Sequence, residues 1–197
     1  RDVDARGLIE GSAIRALKLA TPFDSYFFIE RSAEALSNLI GHIPDAVKLR
    51  VQLAHGDANS ELAKLCAQWN TRSERAVVFL DPYGLQVKWN TLEKIARTQA
   101  MDLWMLFPIG MGVNRLLTTK GEPPAEWAAT LDETFGTGDW RQAFYEKNVQ
   151  AGLFGEVETT TKTAHFDGIA EFLLERLSTC FAHVCDRYLI LRNSKNS

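Results

Sequence analysis

The sequence predicts a doubly wound α/β fold, in which helices cover a largely parallel sheet. Short runs of apolar, β-branched or aromatic residues alternate along the chain with longer segments of helical period. Two of the runs, Ala76–Leu80 (AVVFL) and residues 102–107 (DLWMLF), are almost continuously hydrophobic, which is typical of central parallel strands covered on both faces. With 197 residues, 46% of them hydrophobic, the chain is long enough for one substantial core.

The strands and helices can be placed in order along the chain. Strands are predicted at residues 25–30 (SYFFIE), 48–53 (KLRVQL), 76–80, 102–107 and 188–191 (YLIL). Helices fit between them at residues 13–20, 33–40, from 59 or 60 to about 69, and 92–98, with N-caps at Ser12, Ser32, Asn59 or Ser60, and Asn90 or Thr91.

The pattern changes after the fourth predicted strand. Residues 111–165 contain turns at Gly-Glu-Pro-Pro (121–124) and Phe-Gly-Thr-Gly (135–138), with helical stretches at 125–134 and 140–150. We interpret this segment as a helical insertion with no sheet of its own, after which a helix from 167 to about 181 leads to the last strand. The prediction is therefore a single domain, 1–197, with a helical insertion at about 111–165.

The charge balance, the cysteines and the hydropathy of the sequence indicate which partners and which cellular environment to expect. The 22 Lys and Arg against 25 Asp and Glu give a net charge of −3, which argues against binding nucleic acid through overall charge but leaves a local basic face open. Cys66, Cys180 and Cys185 form no C-x-x-C pair, which favours reduced, mostly buried thiols. Because the sequence has neither a long apolar run nor a signal-peptide core, we expect a cytoplasmic protein without a membrane partner.

Three acidic residues follow predicted strands. Glu30 ends SYFFIE, Asp57 follows KLRVQL, and Asp81 follows AVVFL, so that the acids are separated by about one strand–helix unit each. Ligands of doubly wound sheets bind outside the carboxyl ends of the strands. The spacing therefore predicts that all three carboxylates lie along one edge of the sheet.

Each of the first two acids has a functional and a structural interpretation. Glu30 can accept both hydroxyls of a ribose, or it can begin a solvated loop and helix. Asp57 can accept a hydrogen bond from an adenine amine, or it can form an Asx turn before the next helix.

The segment Asp81-Pro82-Tyr83-Gly84 is the most specific motif. An acid followed by proline after a buried strand directs the proline carbonyl and an aromatic ring into the crevice. The carboxylate and carbonyl can accept the hydrogens of a planar amine while the ring stacks on the base, which orients the nitrogen lone pair toward a methyl donor. The alternative is an ordinary tight turn in which Gly84 supplies a positive φ and Tyr83 packs.

Other motifs are weak or absent. His42, His55, His165 and His183 share no metal-ligand spacing, so no metal site is predicted, although His55 lies close to Asp57. The sequence has no G-x-S-x-G, P-loop or H-E-x-x-H pattern, which disfavours hydrolases, kinases and metalloproteases. Trp104, Trp127 and Trp140 are interpreted as packing residues.

Several segments together resemble the three-Cys-motif partner protein family, and the likeness runs over most of the chain. They are Gly11-Ser12, Tyr26 to Glu30, Gly56-Asp57-Ala58-Asn59, Phe79 to Gly84, Asp102-Leu103-Trp104 through Phe107-Pro108, and Tyr188 to Leu191 with Ser194-Lys195.

The resemblance implies a Rossmann-like class I methyltransferase sheet with S-adenosylmethionine as cofactor. It implies catalytic roles for Asp81, Pro82 and Tyr83, and it implies cofactor binding by Glu30, Asp57 and Ala58. The Asp-Pro-aromatic-Gly turn is similar to that of enzymes that dimethylate a guanine amine of transfer RNA. The family's name implies a protein partner with a three-cysteine, radical-enzyme-like motif.

The sequence departs from that family's pattern at its start. Family members resemble one another in a strand that ends in a Phe-Ala-Gly-Pro-Gly type loop before the helix corresponding to residues 13–20, and this chain begins at Arg1 without it. The charged start favours a sequence that begins late over a protein that has lost cofactor binding. The short path from His183 to Tyr188 likewise leaves little room for the hairpin that closes methyltransferase sheets.

The leading hypothesis is therefore an S-adenosylmethionine-dependent methyltransferase acting on an exocyclic amine of a nucleic-acid base. The alternative is a non-catalytic, methyltransferase-like scaffold that works with a three-cysteine protein. A dinucleotide-dependent oxidoreductase is permitted by Glu30, but the sequence lacks G-x-G-x-x-G and carries Asp-Pro-Tyr-Gly instead.

Overall fold

A computed structural model describes residues 11–152 and 155–191 of the chain. Strands and helices alternate as far as the fourth strand, which confirms the predicted mixed α/β class. The described residues form two compact units, divided between Leu65 and Cys66. No helix within these ranges combines the length and apolar character needed to cross a membrane.

The first unit contains one parallel pair of strands. Its elements are α1 (Ser12–Leu17), β1 (Tyr26–Glu30), α2 (Ala33–His42), a 3₁₀ helix (Asp45–Arg50), β2 (Val51–His55) and the start of α3 (Ala58–Gln68). β1 pairs with β2 in parallel, with Tyr26 opposite Val51 and Glu30 opposite His55. The Ser32 hydroxyl oxygen accepts a hydrogen bond from the Ala35 N–H at 3.2 Å, so the predicted cap of α2 is confirmed.

The second unit contains a parallel pair and an antiparallel hairpin. Its elements after the end of α3 are β3 (Ala76–Leu80), α4 (Trp89–Thr98), β4 (Met101–Met105), a π-helical turn (Ile109–Val113), α5 (Asn114–Leu116), α6 (Ala125–Phe135), α7 (Trp140–Phe144), β5 (Tyr145–Gly152), β6 (Gly155–Lys162) and α8 (Phe166–Ser178). β3 and β4 are parallel neighbours, with Ala76 opposite Met101. The predicted adjacency of the AVVFL and DLWMLF strands is therefore confirmed.

The prediction that residues 111–165 have no sheet of their own is wrong. β5 and β6 form an antiparallel hairpin in this interval, and β5 begins where the predicted helix at 140–150 should continue. The hairpin is tied to the preceding loop by an antiparallel bridge between Lys120 and Thr161 and by a 2.8 Å hydrogen bond from the Gly121 N–H to the Thr160 carbonyl. These long-range backbone bonds give the strands a partner that local helical propensity does not supply.

The predicted last strand at residues 188–191 is also absent. This segment has no strand pairing, and Leu189 and Leu191 are 84% and 72% exposed. Among the described residues, the segment contacts the start of α8 through a 2.8 Å hydrogen bond that the Tyr188 hydroxyl donates to Asp167 Oδ1. An apolar run becomes a strand only where another strand offers its backbone groups, and no described strand does so here.

Burial of β3 and β4 on both faces is likewise not observed. Val77 and Phe79 of β3 and Trp104 of β4 are about half exposed or more, at 50%, 49% and 61%. Side chains alternate between the two faces of a strand, so these three residues share one face and leave it open. The interpretation of Trp104 as a packing residue is therefore wrong.

The core of the second unit is an aromatic cluster. The ring of Phe135 contacts those of Phe144 and Phe172 at centroid distances of 5.7 and 5.2 Å, both edge to face. Trp140 is fully buried, which confirms its predicted packing role, and its indole N–H donates to Asp132 Oδ1 at 2.8 Å. Residues from α6, α7 and α8 are thereby joined in one core.

The three thiols differ in burial. Cys66 and Cys180 are half-buried, and burial raises the pKa of both thiols. Cys185 is exposed, so the prediction of mostly buried cysteines holds for two of the three.

Gly136 ends α6 at a position that no larger residue fits without strain. Gly136 has a φ of +67°, and a Cβ added there would overlap the indole ring of Trp89. Trp89 is itself buried beneath the Arg176 guanidinium, which lies 4.9 Å from its ring centroid. The glycine is therefore required both by backbone conformation and by close packing.

We expect Gly136→Ala to lower the free energy of unfolding by about 2 to 4 kcal/mol, because the substitution combines a left-handed backbone with overpacking. The control is Gly121→Ala, since Gly121 has a φ of +72° but open space around its Cβ position. That variant should lose only about 1 kcal/mol. Urea denaturation of both variants makes the comparison, and equal losses would contradict the role of Trp89.

Candidate functional site

The Asp81–Gly84 turn presents two unengaged side chains directly after β3. Leu80 closes β3 at 8% exposure, and Asp81 follows it directly into solvent. Within the described part of the chain, the Asp81 carboxylate makes no hydrogen bond or ion pair. Tyr83 is 89% exposed, and Gly84 has a φ of +72°. The positive φ expected for an ordinary turn is therefore present, but the expected packing of Tyr83 is not.

The inner side of this turn is firmly packed. Pro82, Leu85, Leu92 and Thr134 line a partly open cavity of about 10 Å³, which has room for no more than about one water molecule. The Leu106 N–H donates to the Leu80 carbonyl at 2.8 Å and so continues the pairing of β4 with β3 beyond the end of the strand. The turn is therefore packed on this side, whereas the Asp81 and Tyr83 side chains are exposed to solvent.

Glu30 lies at the carboxyl end of β1, as predicted. Its Oε1 accepts a 2.7 Å hydrogen bond from the Ser32 N–H, and its carbonyl accepts the Gly56 N–H at 3.0 Å. His55 Nε2 donates to the Arg31 carbonyl at 3.1 Å in the Nε2-protonated tautomer. One carboxylate oxygen of Glu30 therefore orders the loop before α2, while Oε2 has no hydrogen bond to any described residue.

Asp57 begins α3. Its Oδ1 accepts from the Ser60 N–H at 3.1 Å and from the Ser60 hydroxyl at 3.3 Å, and Ala58 is the first residue of the helix. The backbone hydrogen bond from Ser60 lowers the pKa of the Asp57 carboxyl. Asp57, rather than the predicted Asn59 or Ser60, is thus the capping residue, and this role is close to the Asx-turn alternative.

The structure brings the predicted acids together only in part. Glu30 and Asp57 follow paired parallel strands of the first unit, so they share its carboxyl edge. Asp81 follows β3 in the second unit, at the carboxyl edge of the β3–β4 pair. Each acid therefore lies where its strand ends, and their alignment along one common edge stays a prediction.

Sequence reasoning missed an open groove next to the turn. Its volume is about 320 Å³, and its lining includes Gly84, Gln86, Met111, Arg115 and Trp127. The sequence signal for this lining was the spacing of its residues, because residues three or four apart share a helix face. Met111 and Arg115 are four residues apart, and Trp127 and Thr130 are three apart. The interpretation of Trp127 as a packing residue is incomplete, since its side chain is 39% exposed.

Comparisons of the chain with protein families, with curated proteins and with solved structures each find no match. The resemblance to the three-Cys-motif partner family thus stays a prediction from the motifs. The features of the chain that bear on function are the geometry of the turn, the groove and the acids at the strand ends.

We expect Asp57→Ala to lower the free energy of unfolding by about 1 kcal/mol at neutral pH, because α3 loses its capping carboxylate. The pKa of Asp57 is lowered in the folded state, so this contribution is present above the unfolded pKa of about 4 and is lost as the pH falls through the folded value. Urea titrations of the wild type and the variant between pH 7 and pH 2 should therefore converge at the acidic end.

The matched control is Asp24→Ala, because Asp24 is exposed and has no described partner. It should leave the free energy of unfolding within about 0.5 kcal/mol of the wild type across this range. A constant difference between Asp57→Ala and the wild type down to pH 2 would contradict the capping role.

Proposed function

We propose that this chain is an S-adenosylmethionine-dependent methyltransferase acting on an exocyclic amine of a nucleic-acid base, built on one doubly wound, Rossmann-like sheet of the three-Cys-motif partner type. The alternation of strands and helices supports the fold, as do the two parallel pairs β1–β2 and β3–β4. The proposal assigns catalysis to Asp81, Pro82 and Tyr83, and cofactor binding to Glu30, Asp57 and Ala58.

The observation that carries the proposal is the outward presentation of Asp81 and Tyr83 by a turn that is packed on its inner side. A planar amine placed against this turn donates its two hydrogens to the Asp81 carboxylate and the Pro82 carbonyl. The Tyr83 ring stacks on the base and fixes its plane. With both amine hydrogens engaged and the base held against Tyr83, the nitrogen lone pair is oriented toward the methyl donor, and such alignment is the main requirement of methyl transfer. The Asp81 carboxylate also lies where it can receive the proton that the amine loses.

The acids of the first unit fit the cofactor unequally. S-adenosylmethionine supplies an electrophilic methyl group when it is bound. Glu30 retains a carboxylate oxygen free of hydrogen bonds to described residues, which suits the hydroxyls of a ribose. The Asp57 carboxylate already accepts hydrogen bonds at the start of α3, so it would have to share its acceptor capacity with an adenine amine. Ala58, half-buried as the first residue of α3, offers only contact.

The engagement of Asp57 favours a second candidate, the methyltransferase-like scaffold working with a three-cysteine, radical-enzyme-like protein. Such a protein needs an apolar contact surface, and the exposed face of Val77, Phe79 and Trp104 is one. In that case the Asp81–Gly84 segment is only a structural turn. Cofactor binding and turnover separate the two candidates.

We expect Asp81→Asn to reduce methyl transfer by about tenfold to a hundredfold, because the amide replaces an acceptor with a donor that faces the hydrogens of the amine. The thermal midpoint should stay close to that of the wild type, since the carboxylate has no described partner to lose. Turnover is measured with a labelled methyl donor on a pool of RNA and DNA substrates.

Asp102→Asn is the matched control, because Asp102 is an exposed aspartate on the neighbouring strand β4. It should retain wild-type turnover. Unchanged turnover in Asp81→Asn, or a loss explained by a large fall in its midpoint, would assign Asp81 to a structural turn.

Calorimetric titration of the full-length protein with S-adenosylmethionine tests cofactor binding directly. Glu30→Gln should weaken binding by about tenfold, because a charged acceptor for the ribose is lost. Glu34→Gln is the control, since Glu34 is exposed in the first turn of α2 and has no described partner. The absence of heat from the wild type at millimolar ligand would favour the scaffold.

A further inference from the structure

The groove beside the Asp81–Gly84 turn combines an unpaired cation with exposed apolar side chains. Arg115 is exposed and makes no hydrogen bond or ion pair with any described residue. Met111 is 78% exposed and Trp127 is 39% exposed. Because all three line one groove, a ligand in it can meet a positive charge and an aromatic ring together.

The groove is held in shape by close packing at its base. A Cβ added to Gly112 in the π-helical turn would lie 3.1 Å from Leu85 Cδ2 and 3.1 Å from Pro108 Cγ, so the backbone at Gly112 approaches the Leu85 side chain closely. Trp127 and Thr130 lie one turn apart on α6, and the Thr130 hydroxyl donates to the Glu126 carbonyl at 3.1 Å. The lining therefore belongs to packed elements.

Size and charge restrict the ligand. A volume of about 320 Å³ is at the small end of ligand pockets, which begin near about 300 Å³, and suits one nucleotide. The guanidinium of Arg115 matches a phosphate, and the Trp127 ring matches the face of a base. The net charge of −3 gives the chain no general attraction for polyanions. A phosphate therefore needs a local positive charge, such as the Arg115 guanidinium, to bind.

Position adds the decisive restriction. Gly84, Leu85 and Gln86 form one wall of the groove and follow Tyr83 directly in sequence. A ligand in the groove therefore lies next to the segment to which the target base is assigned.

We propose that this groove binds a nucleotide next to the target base of a single-stranded polynucleotide, with the phosphate on Arg115 and the base against Trp127. The position next to a target base rests on the proposed function. The chemistry of the groove itself, one phosphate and one base, does not depend on methyl transfer.

Binding of a fluorescently labelled ten-nucleotide oligoadenylate, measured by anisotropy, tests the proposal. Arg115→Gln should weaken binding by about tenfold and reduce the slope of log affinity against log salt by about 0.7, as expected for one lost phosphate contact on a single strand. Arg72→Gln is the control of equal charge change, because Arg72 is exposed and its side chain has no described partner. It should leave both quantities close to the wild-type values.

A second pair of variants tests stacking. Trp127→Leu should weaken binding by about tenfold without changing the salt slope, whereas Trp127→Phe should retain most of the affinity. Trp104→Leu, which removes another exposed tryptophan, should have no effect. Thermal midpoints show that each variant is folded.

The outcomes distinguish failure of the groove proposal from failure of the proposed methyltransferase function. Equal losses for Arg115→Gln and Arg72→Gln, or none for Trp127→Leu, would overturn the groove assignment. AMP binding as tightly as the oligonucleotide would overturn the assignment to a polynucleotide, because a single nucleotide would then account for all of the binding. If these variants bind normally and the wild type still methylates RNA or DNA, the proposed function stands without the groove. If binding depends on Arg115 and Trp127 but the wild type transfers no methyl group, the groove stands and the proposed function fails.

Discussion

The parallel pairing of β3 with β4 is the constraint on which the candidate site depends. α4 connects the two strands, and Gln99, with a φ of +52°, ends that helix so that the Ala76 N–H can donate to the Ala100 carbonyl at 3.0 Å. The register that follows places Leu80 opposite Met105. Both strands therefore end at the same edge, where Asp81 begins the turn and where the chain after β4 enters the π-helical turn that lines the groove.

Part of the fold could be predicted where the pattern was local, although the predicted N-caps Ser12 and Asn90 or Thr91 are wrong, since α1 and α4 begin after Gly11 and Lys88. The AVVFL strand matches β3 in both bounds, and Ser32 caps α2, because hydrophobic runs and N-caps act over a few residues. β2 begins at Val51, three residues later than predicted, because residues 45–50 form a 3₁₀ helix. The β5–β6 hairpin and the unpaired segment 188–191 could not be predicted, since each depends on whether a distant strand supplies its backbone partners. Val157 and the run Thr159 to Thr161 were the β-branched signal for β6.

The sequence could predict where the residues of the candidate site lie relative to the strands, but not which hydrogen bonds they make. The sequence locates Glu30, Asp57 and Asp81 after their strands because a strand's end is visible in its pattern. The pattern does not show which of these carboxylates already accepts a hydrogen bond. Asp57 accepts one from the Ser60 N–H, whereas Asp81 makes none with a described residue. For a related reason Arg115 was not singled out and Trp127 was interpreted only as a packing residue, because the groove joins elements that are distant in sequence.

The pairing within each sheet has a further consequence for association. The β3–β4 pair has no third strand among those described, so the outer edges of both strands carry backbone N–H and C=O groups without a ladder partner. Water satisfies such groups, and so does an extended segment of another chain. Strand addition at these edges therefore competes with hydration and gains with protein concentration. The exposed Phe79 and Trp104 side chains lie on the same pair of strands, so a segment added at either edge would also meet apolar surface.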